Sequence, residues 1–115
     1  MKNFLFIYGL VLSFASFTFA NEPKQTQHSD GTFHFLETSG LAKPLLLIIG
    51  PKGFIGCGYI NVESCDKTNE ACAIVSGVNT TEEIKHAEIK KVSKAALKLG
   101  IKVGMKGSDA LMFLK

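Results

Sequence analysis

A run of five consecutive apolar residues, 45–49 (LLLII), constrains the fold of this chain most. The run has no polar side chain, which is typical of a strand that is buried on both faces. The next four residues, 50–53 (GPKG), have Pro at the second and Gly at the fourth position of a type I turn. Residues 54–61 then continue as a strand. The sequence therefore predicts a β-hairpin.

The first twenty residues have the three-part layout of a secretory signal peptide. Lys2 gives a positive start, an uncharged run follows over 4–14, and Thr18 and Ala20 are small residues before a cleavage site. An uncleaved membrane anchor is the alternative, but the uncharged run is short for a spanning helix and lacks a basic flank after it. We expect residues 1–20 to be removed, so that the protein is exported, periplasmic or secreted, without stable membrane insertion.

The remaining chain has room for one domain. Residues 21–31 are polar and aperiodic, so we expect a flexible leader before a single domain over 32–115. The chain has thirteen Lys, no Arg and a net charge of +3. That excess is small, and without Arg the chain has no guanidinium fork for phosphates and base edges. We therefore expect no nucleic-acid partner.

Two further strands are predicted beside the hairpin. Residues 32–37 alternate in a short strand, and 72–78 read as a core strand. Residues 101–103 are a candidate edge strand. Polar spacing over 62–69 suits one or two helical turns.

Helix signals dominate the second half of the chain. Thr80 and Glu83 form a capping box. The apolar phase then slips, which favours two helical pieces or one helix kinked near His86. Gly100 is suited to end this region, and Ser108 is suited to cap a last helix over 109–114. We expect an α/β fold of the α+β type, with a mixed sheet of four or five strands packed against two or three helices.

Three segments carry a resemblance to a known family. They are KGFIGCGYIN (52–61), AIVSGVNTTEEI (73–84) and SKAALKLGIKVGMKGSDAL (93–111). From residue 45 onward, over about seventy residues, the chain resembles the YunC-like family, small prokaryotic proteins known as a domain of unknown function. The resemblance implies one compact domain of sheet and helix, and no established reaction. This chain departs from the family in its export signal and in Cys65 and Cys72, where relatives usually have small apolar residues.

The segment Gly56-Cys57-Gly58 is the most unusual local feature. On a strand, the two glycines share one face and leave bare backbone, which usually means that another group approaches closely. That group is a helix of the same chain, a ligand or a second chain. A second chain would give a homodimer, whereas a small-molecule ligand would give a monomer with a pocket beside Tyr59 and Asn61. Overpacking should then make Gly58→Val destabilising.

Two further positions are candidates for chemistry. Cys57 is the candidate nucleophile, with His34 or His86 as its base, although a small core residue is the commoner role. Ser76 and Gly77 lie between a strand and a helix cap, where backbone N–H groups can bind a small anion, with turn formation as the simpler alternative.

Metal chemistry is not expected. The three Cys are eight and seven residues apart, without a C-x-x-C pair or an H-x-x-x-H pair, so we expect no metal and no cofactor. Lys90, Lys94 and Lys98 are spaced as one row of a helix. That row predicts a solvated face, with contact to an acidic surface as the alternative.

In an oxidising compartment, three Cys allow one disulfide. The polar bend between Cys65 and Cys72 can bring their Cα atoms within the range of about 4.4–6.8 Å that a disulfide requires. We predict this pair, with Cys57 free. The alternative pairs Cys57 with Cys65.

Taken together, these features predict an exported small domain of unknown activity that acts by binding or by self-association, with any small-molecule ligand unknown. The alternative is a thiol-dependent enzyme or redox protein that uses Cys57. The candidate binding residues are Gly56, Gly58, Tyr59, Asn61, Ser76 and Gly77.

Overall fold

The computed structural model describes residues 24–115, in which six strands form one sheet and four helices are arranged around it. The predicted signal peptide lies outside the described residues. In chain order the elements are β1 (Gln25–Ser29), β2 (His34–Thr38), β3 (Leu45–Gly50), β4 (Gly53–Gly56), α1 (Val62–Thr68), β5 (Cys72–Ile74), α2 (Thr81–His86), β6 (Lys91–Val92), α3 (Lys94–Leu99) and α4 (Gly107–Met112).

The strands lie in the sheet in their chain order, β1-β2-β3-β4-β5-β6. Every neighbouring pair is antiparallel except β4 and β5, which are parallel. The predicted mixed sheet and α+β class are confirmed. The sheet has six strands rather than four or five, and the described residues hold four helices rather than two or three. None of these helices is both long and apolar enough to cross a bilayer.

The predicted flexible leader is wrong over β1. All five β1 residues pair with β2, and the His28 ring stacks on Phe35 with the ring centroids 4.5 Å apart. The carboxylate of Asp30 closes the β1–β2 turn by accepting hydrogen bonds from the N–H groups of Phe33 and Thr32, at 2.8 and 3.0 Å. Because every β1 side chain is exposed, the strand has no apolar alternation that its sequence could show.

The predicted β3–β4 hairpin is confirmed, and its apolar run divides between two faces of the sheet. Leu46 and Ile48 are fully buried, whereas Ile49 on the other face is 40% exposed. The expectation that both faces are buried therefore holds for one face only. That face shares a core with the three later helices, and the largest fully buried members are Leu46, Ile48, Ile55, Ile84, Ile89, Ile101 and Leu114.

Helix α1 makes the crossover from β4 to the parallel β5. The side chain of Asn61 caps it by accepting from the N–H of Glu63 at 2.9 Å, and Asn69 ends it in a left-handed conformation. Cys65 and Cys72 form the predicted disulfide, with their Cα atoms 6.3 Å apart. A second small core forms around them from Phe54, Ile60, Val62 and Ile74. Cys57 is free and buried.

The predicted cap of α2 at Thr80 is confirmed, but the hydrogen bond to the Glu83 side chain comes from the residue before Thr80. The Thr80 hydroxyl accepts from the N–H of Glu83 at 3.1 Å, but the Glu83 carboxylate accepts from Asn79 rather than from Thr80. Glu37 on β2 accepts from both the N–H and the hydroxyl of Thr81, at 2.6 and 2.8 Å. This carboxylate ties the start of α2 to the sheet.

The phase slip marks two helices, as predicted, but strand β6 lies between them. Lys90 and Lys91 are outside both helices, so the predicted lysine row is reduced to Lys94 and Lys98, which are both exposed on α3. Ser93 caps α3, and its buried hydroxyl also accepts from Cys72 N–H at 2.9 Å. The chain turns at Gly100 in the expected left-handed conformation.

Two predictions for the end of the chain are wrong. Residues 101–103 form no strand. The segment that follows them is held by hydrogen bonds instead, for example from the N–H of Ile89 to the carbonyl of Met105 at 2.7 Å. Helix α4 begins at Gly107, so Ser108 does not cap it. Gly107, the first residue of α4, packs so closely against the carbonyl of Ile84 that a larger residue would not fit there.

The disulfide gives a first prediction. Peptide mapping of the non-reduced protein should recover Cys65 and Cys72 as one crosslink, with Cys57 alone alkylated after unfolding. Reduction should lower the free energy of unfolding by about 2–3 kcal/mol, because the closed loop is short. A crosslink that contains Cys57, or three alkylated thiols, would contradict the assignment.

Packing of Gly107 gives a second prediction. A Cβ at this position would overlap the backbone carbonyl of Ile84, which cannot move without shifting α2. Gly107→Ala should therefore destabilise the protein by at least about 1–3 kcal/mol in urea unfolding. The matched control is Gly58→Ala, whose Cβ would meet no heavy atom within 4 Å. Equal unfolding midpoints for the two variants would refute this packing.

The β1–β2 turn gives a prediction on pH. The hydrogen bonds from Phe33 and Thr32 lower the pKa of Asp30 below its ordinary value of 3.8. Because the folded pKa is the lower one, the turn is stabilised above the unfolded pKa and loses that stabilisation as the pH falls through the folded pKa. In NMR, the Phe33 amide signal should titrate with a midpoint below 3.8. Asp30→Asn should abolish this titration, and a midpoint above 3.8 would contradict the account.

Candidate functional site

The carboxyl ends of the parallel strands β4 and β5 lie at the same edge of the sheet. Residues 57–59 follow β4 there, and residues 76–78 follow β5 after Val75. Between them lies an open pocket of about 280 Å³. The residues that line it are Lys43, Pro44, Cys57, Gly58, Tyr59, Ser76, Gly77 and Val78. Ligands of open α/β sheets commonly bind outside the carboxyl ends of strands, so the position suits a binding site.

The third wall of the pocket comes from the loop between β2 and β3. The Tyr59 hydroxyl accepts a hydrogen bond from the N–H of Lys43 at 3.3 Å. The Cys57 thiol accepts from the N–H of Leu46 at 3.4 Å and donates to the carbonyl of Pro44 at 3.8 Å. These contacts hold the loop against the residues that follow β4, although the two segments are more than ten positions apart in sequence.

Several backbone N–H groups around the pocket have no acceptor. At the base of the pocket, Cys57 N–H donates to Leu46 and Val75 N–H donates to Gly56, at 3.1 and 3.0 Å. Beyond these bonds, within residues 24–115, no protein acceptor contacts the N–H groups of Gly58, Tyr59, Ser76 and Gly77. All four residues are exposed, so water or a ligand can satisfy these donors.

Gly77 gives the turn after β5 its shape. Its φ is +73°, and an added Cβ would meet no heavy atom within 4 Å. Glycine is therefore required by the backbone conformation rather than by crowding. At Gly77 the backbone itself therefore forms the wall of the pocket.

The predicted strip of two glycines is wrong. Strand β4 ends at Gly56, so Gly58 lies in a turn and does not share a strand face with it. A Cβ on Gly56 would come within 2.7 Å of the Ile60 side chain, so the group that approaches it belongs to the same chain. A Cβ on Gly58 would meet nothing within 4 Å, and the overpacking expected of Gly58→Val is therefore wrong.

The structure does not bring a histidine to Cys57. His34 pairs with Ile49 at the far end of β2, and His86 is exposed at the end of α2. The lining of the pocket holds no carboxylate, and Cys57 is only 5% exposed. A thiolate nucleophile needs a basic partner and access. Lys43 is the one basic residue of the lining, but the hydrogen bonds of the Cys57 thiol within residues 24–115 go to the backbone of Leu46 and Pro44. Among residues 24–115 there is also no group of three side chains placed to hold a metal ion.

Asn61 lies beside the pocket rather than in it. It lines an adjoining, more polar groove of about 730 Å³, together with Lys90, Lys91 and Val103. Gly58 and Tyr59 line both cavities. Tyr59 is 52% exposed and forms the ridge between them.

Most of the predicted site residues therefore meet at one place. Gly58, Tyr59, Ser76 and Gly77 line the pocket with Cys57, whereas Gly56 is buried beneath it. Sequence reasoning missed three lining residues, Lys43, Pro44 and Val78. No local signal marks Lys43 or Pro44, because only the folded β2–β3 loop brings them to the pocket. Val78 could be found as the last apolar residue of the predicted core strand.

Comparison with known proteins places this fold in a family. The family model "Domain of unknown function (DUF1805)" matches residues 56–114. The uncharacterised protein YunC of Bacillus subtilis (strain 168) is 34% identical over 71 residues, which are 58% of this chain and 70% of that protein. A crystal structure of a protein of unknown function from Thermoplasma acidophilum superposes with a TM-score of 0.74 at 26% identity, over 87% of this chain and all of that one. The predicted YunC-like resemblance is confirmed, and the chain belongs to the DUF1805 family.

Proposed function

We propose that this protein is an exported binding domain that holds a small molecule in the pocket at the carboxyl ends of β4 and β5. One observation carries the proposal: two segments that are far apart in the sequence, Cys57–Tyr59 and Ser76–Gly77, meet around one cavity. The cavity has a mostly apolar lining with a few polar groups, which is the usual composition of a small-molecule site.

Binding is favoured over the other functions considered. Catalysis by Cys57 has no histidine or carboxylate in the lining to support it, and the thiol is hydrogen-bonded to the backbone of β3. Self-association through bare glycines loses its support because Ile60 of the same chain covers Gly56. The homodimer itself stays a prediction, which the native mass of the protein would test.

Export is supported by two features. The first is the layout of residues 1–20, and the second is the pair of bonded sulfur atoms of Cys65 and Cys72, since such bonds persist in oxidising compartments. N-terminal sequencing of the exported protein should begin at Asn21. A protein that begins at Met1 would overturn this part of the proposal.

The binding proposal can be tested by filling the pocket. Gly58→Leu places a bulky side chain where the backbone has free space, so the fold should tolerate it and the pocket should be blocked. The matched control is Lys52→Leu, which adds an exposed leucine to the β3–β4 turn at the opposite end of the sheet. Indole, phenylacetamide and phenylacetate serve as probes, with binding measured by calorimetry and by NMR.

We expect at least one of these probes to bind the unchanged protein and the Lys52→Leu variant. Gly58→Leu should weaken that binding by about tenfold or more, with an unfolding midpoint close to that of the unchanged protein. Binding that survives Gly58→Leu would place the ligand elsewhere. Absence of binding by all three probes would count against the proposed function.

A further inference from the structure

We infer that the ligand of this pocket is a small carboxylate with an apolar body, an inference that rests on the proposed function. Three features of the lining lead to this class: its apolar floor, its unpaired backbone donors and its single positive charge. Each is independent of the others, and each is a property of residues already described.

The apolar body fits the floor of the pocket. Val78 and the Cys57 side chain are buried there, and Pro44 is half-buried beside them. The Cys57 thiol is held by backbone groups of Leu46 and Pro44, so it offers a ligand a soft, apolar surface rather than a free donor. A volume of about 280 Å³ is at the small end of ligand pockets, which favours a ring or a short branched chain.

The acidic group fits the rim. Gly58 and Tyr59 line the pocket from the segment after β4, and Ser76 and Gly77 line it from the segment after β5. The N–H groups of these four residues have no acceptor in residues 24–115. The Ser76 hydroxyl also lacks a protein partner in that range and adds a further donor. A carboxylate is an acceptor-only group with about four lone-pair sites, so it can satisfy donors from both segments at once.

The charge of the lining also favours an anion. Lys43 is the only Lys, His, Asp or Glu of the lining, so no carboxylate in the lining is available to pair with its side chain. Lys43, like most lysines of residues 24–115, has no carboxylate partner; only Lys85 and Lys90 in that range have one. The hydrogen bond from its N–H to Tyr59 fixes its backbone at the rim. A ligand carboxylate would therefore complete both the hydrogen bonding and the charge balance of the pocket.

The test compares an acid with its neutral analogue of the same shape. Calorimetry with phenylacetate and phenylacetamide should show about tenfold tighter binding of the acid, because hydrogen bonds to charged groups are the stronger ones. Lys43→Gln keeps the backbone contact to Tyr59 and removes the charge, so it should reduce the acid-to-amide ratio by about threefold. Lys52→Gln removes one positive charge at the far end of the sheet and should leave the ratio unchanged.

The possible outcomes distinguish a wrong ligand class from a wrong binding site. Equal binding of acid and amide, blocked in both cases by Gly58→Leu, would overturn the carboxylate inference and leave the pocket as the binding site. If the acid binds more tightly than the amide but Gly58→Leu does not weaken this binding, the proposed site is overturned. Equal effects of Lys43→Gln and Lys52→Gln would show only long-range attraction of the anion, and would also overturn the inference. Failure of both probes to bind would overturn it as well.

Discussion

The parallel pairing of β4 with β5 determines where this domain has an open surface. Because the two strands run in the same direction, the chain leaves both of them at one edge of the sheet, and the connection between them must cross back over the sheet. Residues 57–71 make that crossing, with α1 at their centre. The remaining neighbours pair antiparallel and are joined by a turn, by a loop or, between β5 and β6, by a segment that contains α2. The segments that leave β4 and β5 have N–H groups without acceptors in residues 24–115.

One wall of the pocket at that edge is held by a specific contact. The hydrogen bond between Tyr59 and Lys43 holds the β2–β3 loop against the end of β4, whereas the disulfide fastens α1 to the start of β5, away from the pocket. Gly58 and Gly77 contribute no side chain to fill the space. Pre-formed cavities of this kind reduce the ordering cost of binding a small ligand.

Turns and helix ends that depend on a few neighbouring residues could be predicted from the sequence. Strands that exist only through pairing with distant segments could not. The turn at Pro51, the cap at Thr80 and the end at Gly100 each depend on a few neighbouring residues, and all three were predicted correctly. Strand β1 carries no apolar pattern, and β6 is two residues long, so both exist only through their partners in the sheet. In the site, Cys57 and Ser76 stood out locally, but Lys43 reaches the pocket only through tertiary structure.

The central claim is that the ends of β4 and β5 form one binding site, and an NMR titration of the backbone amides tests it most directly. Adding phenylacetate to the ¹⁵N-labelled protein should shift the amide signals of Gly58, Tyr59, Ser76 and Gly77 together, with one common saturation curve. The signals of Gly31 and Gly104, which are exposed glycines outside the pocket lining, should stay in place. Shifts confined to one of the two segments, or spread evenly over exposed lysines, would contradict the account.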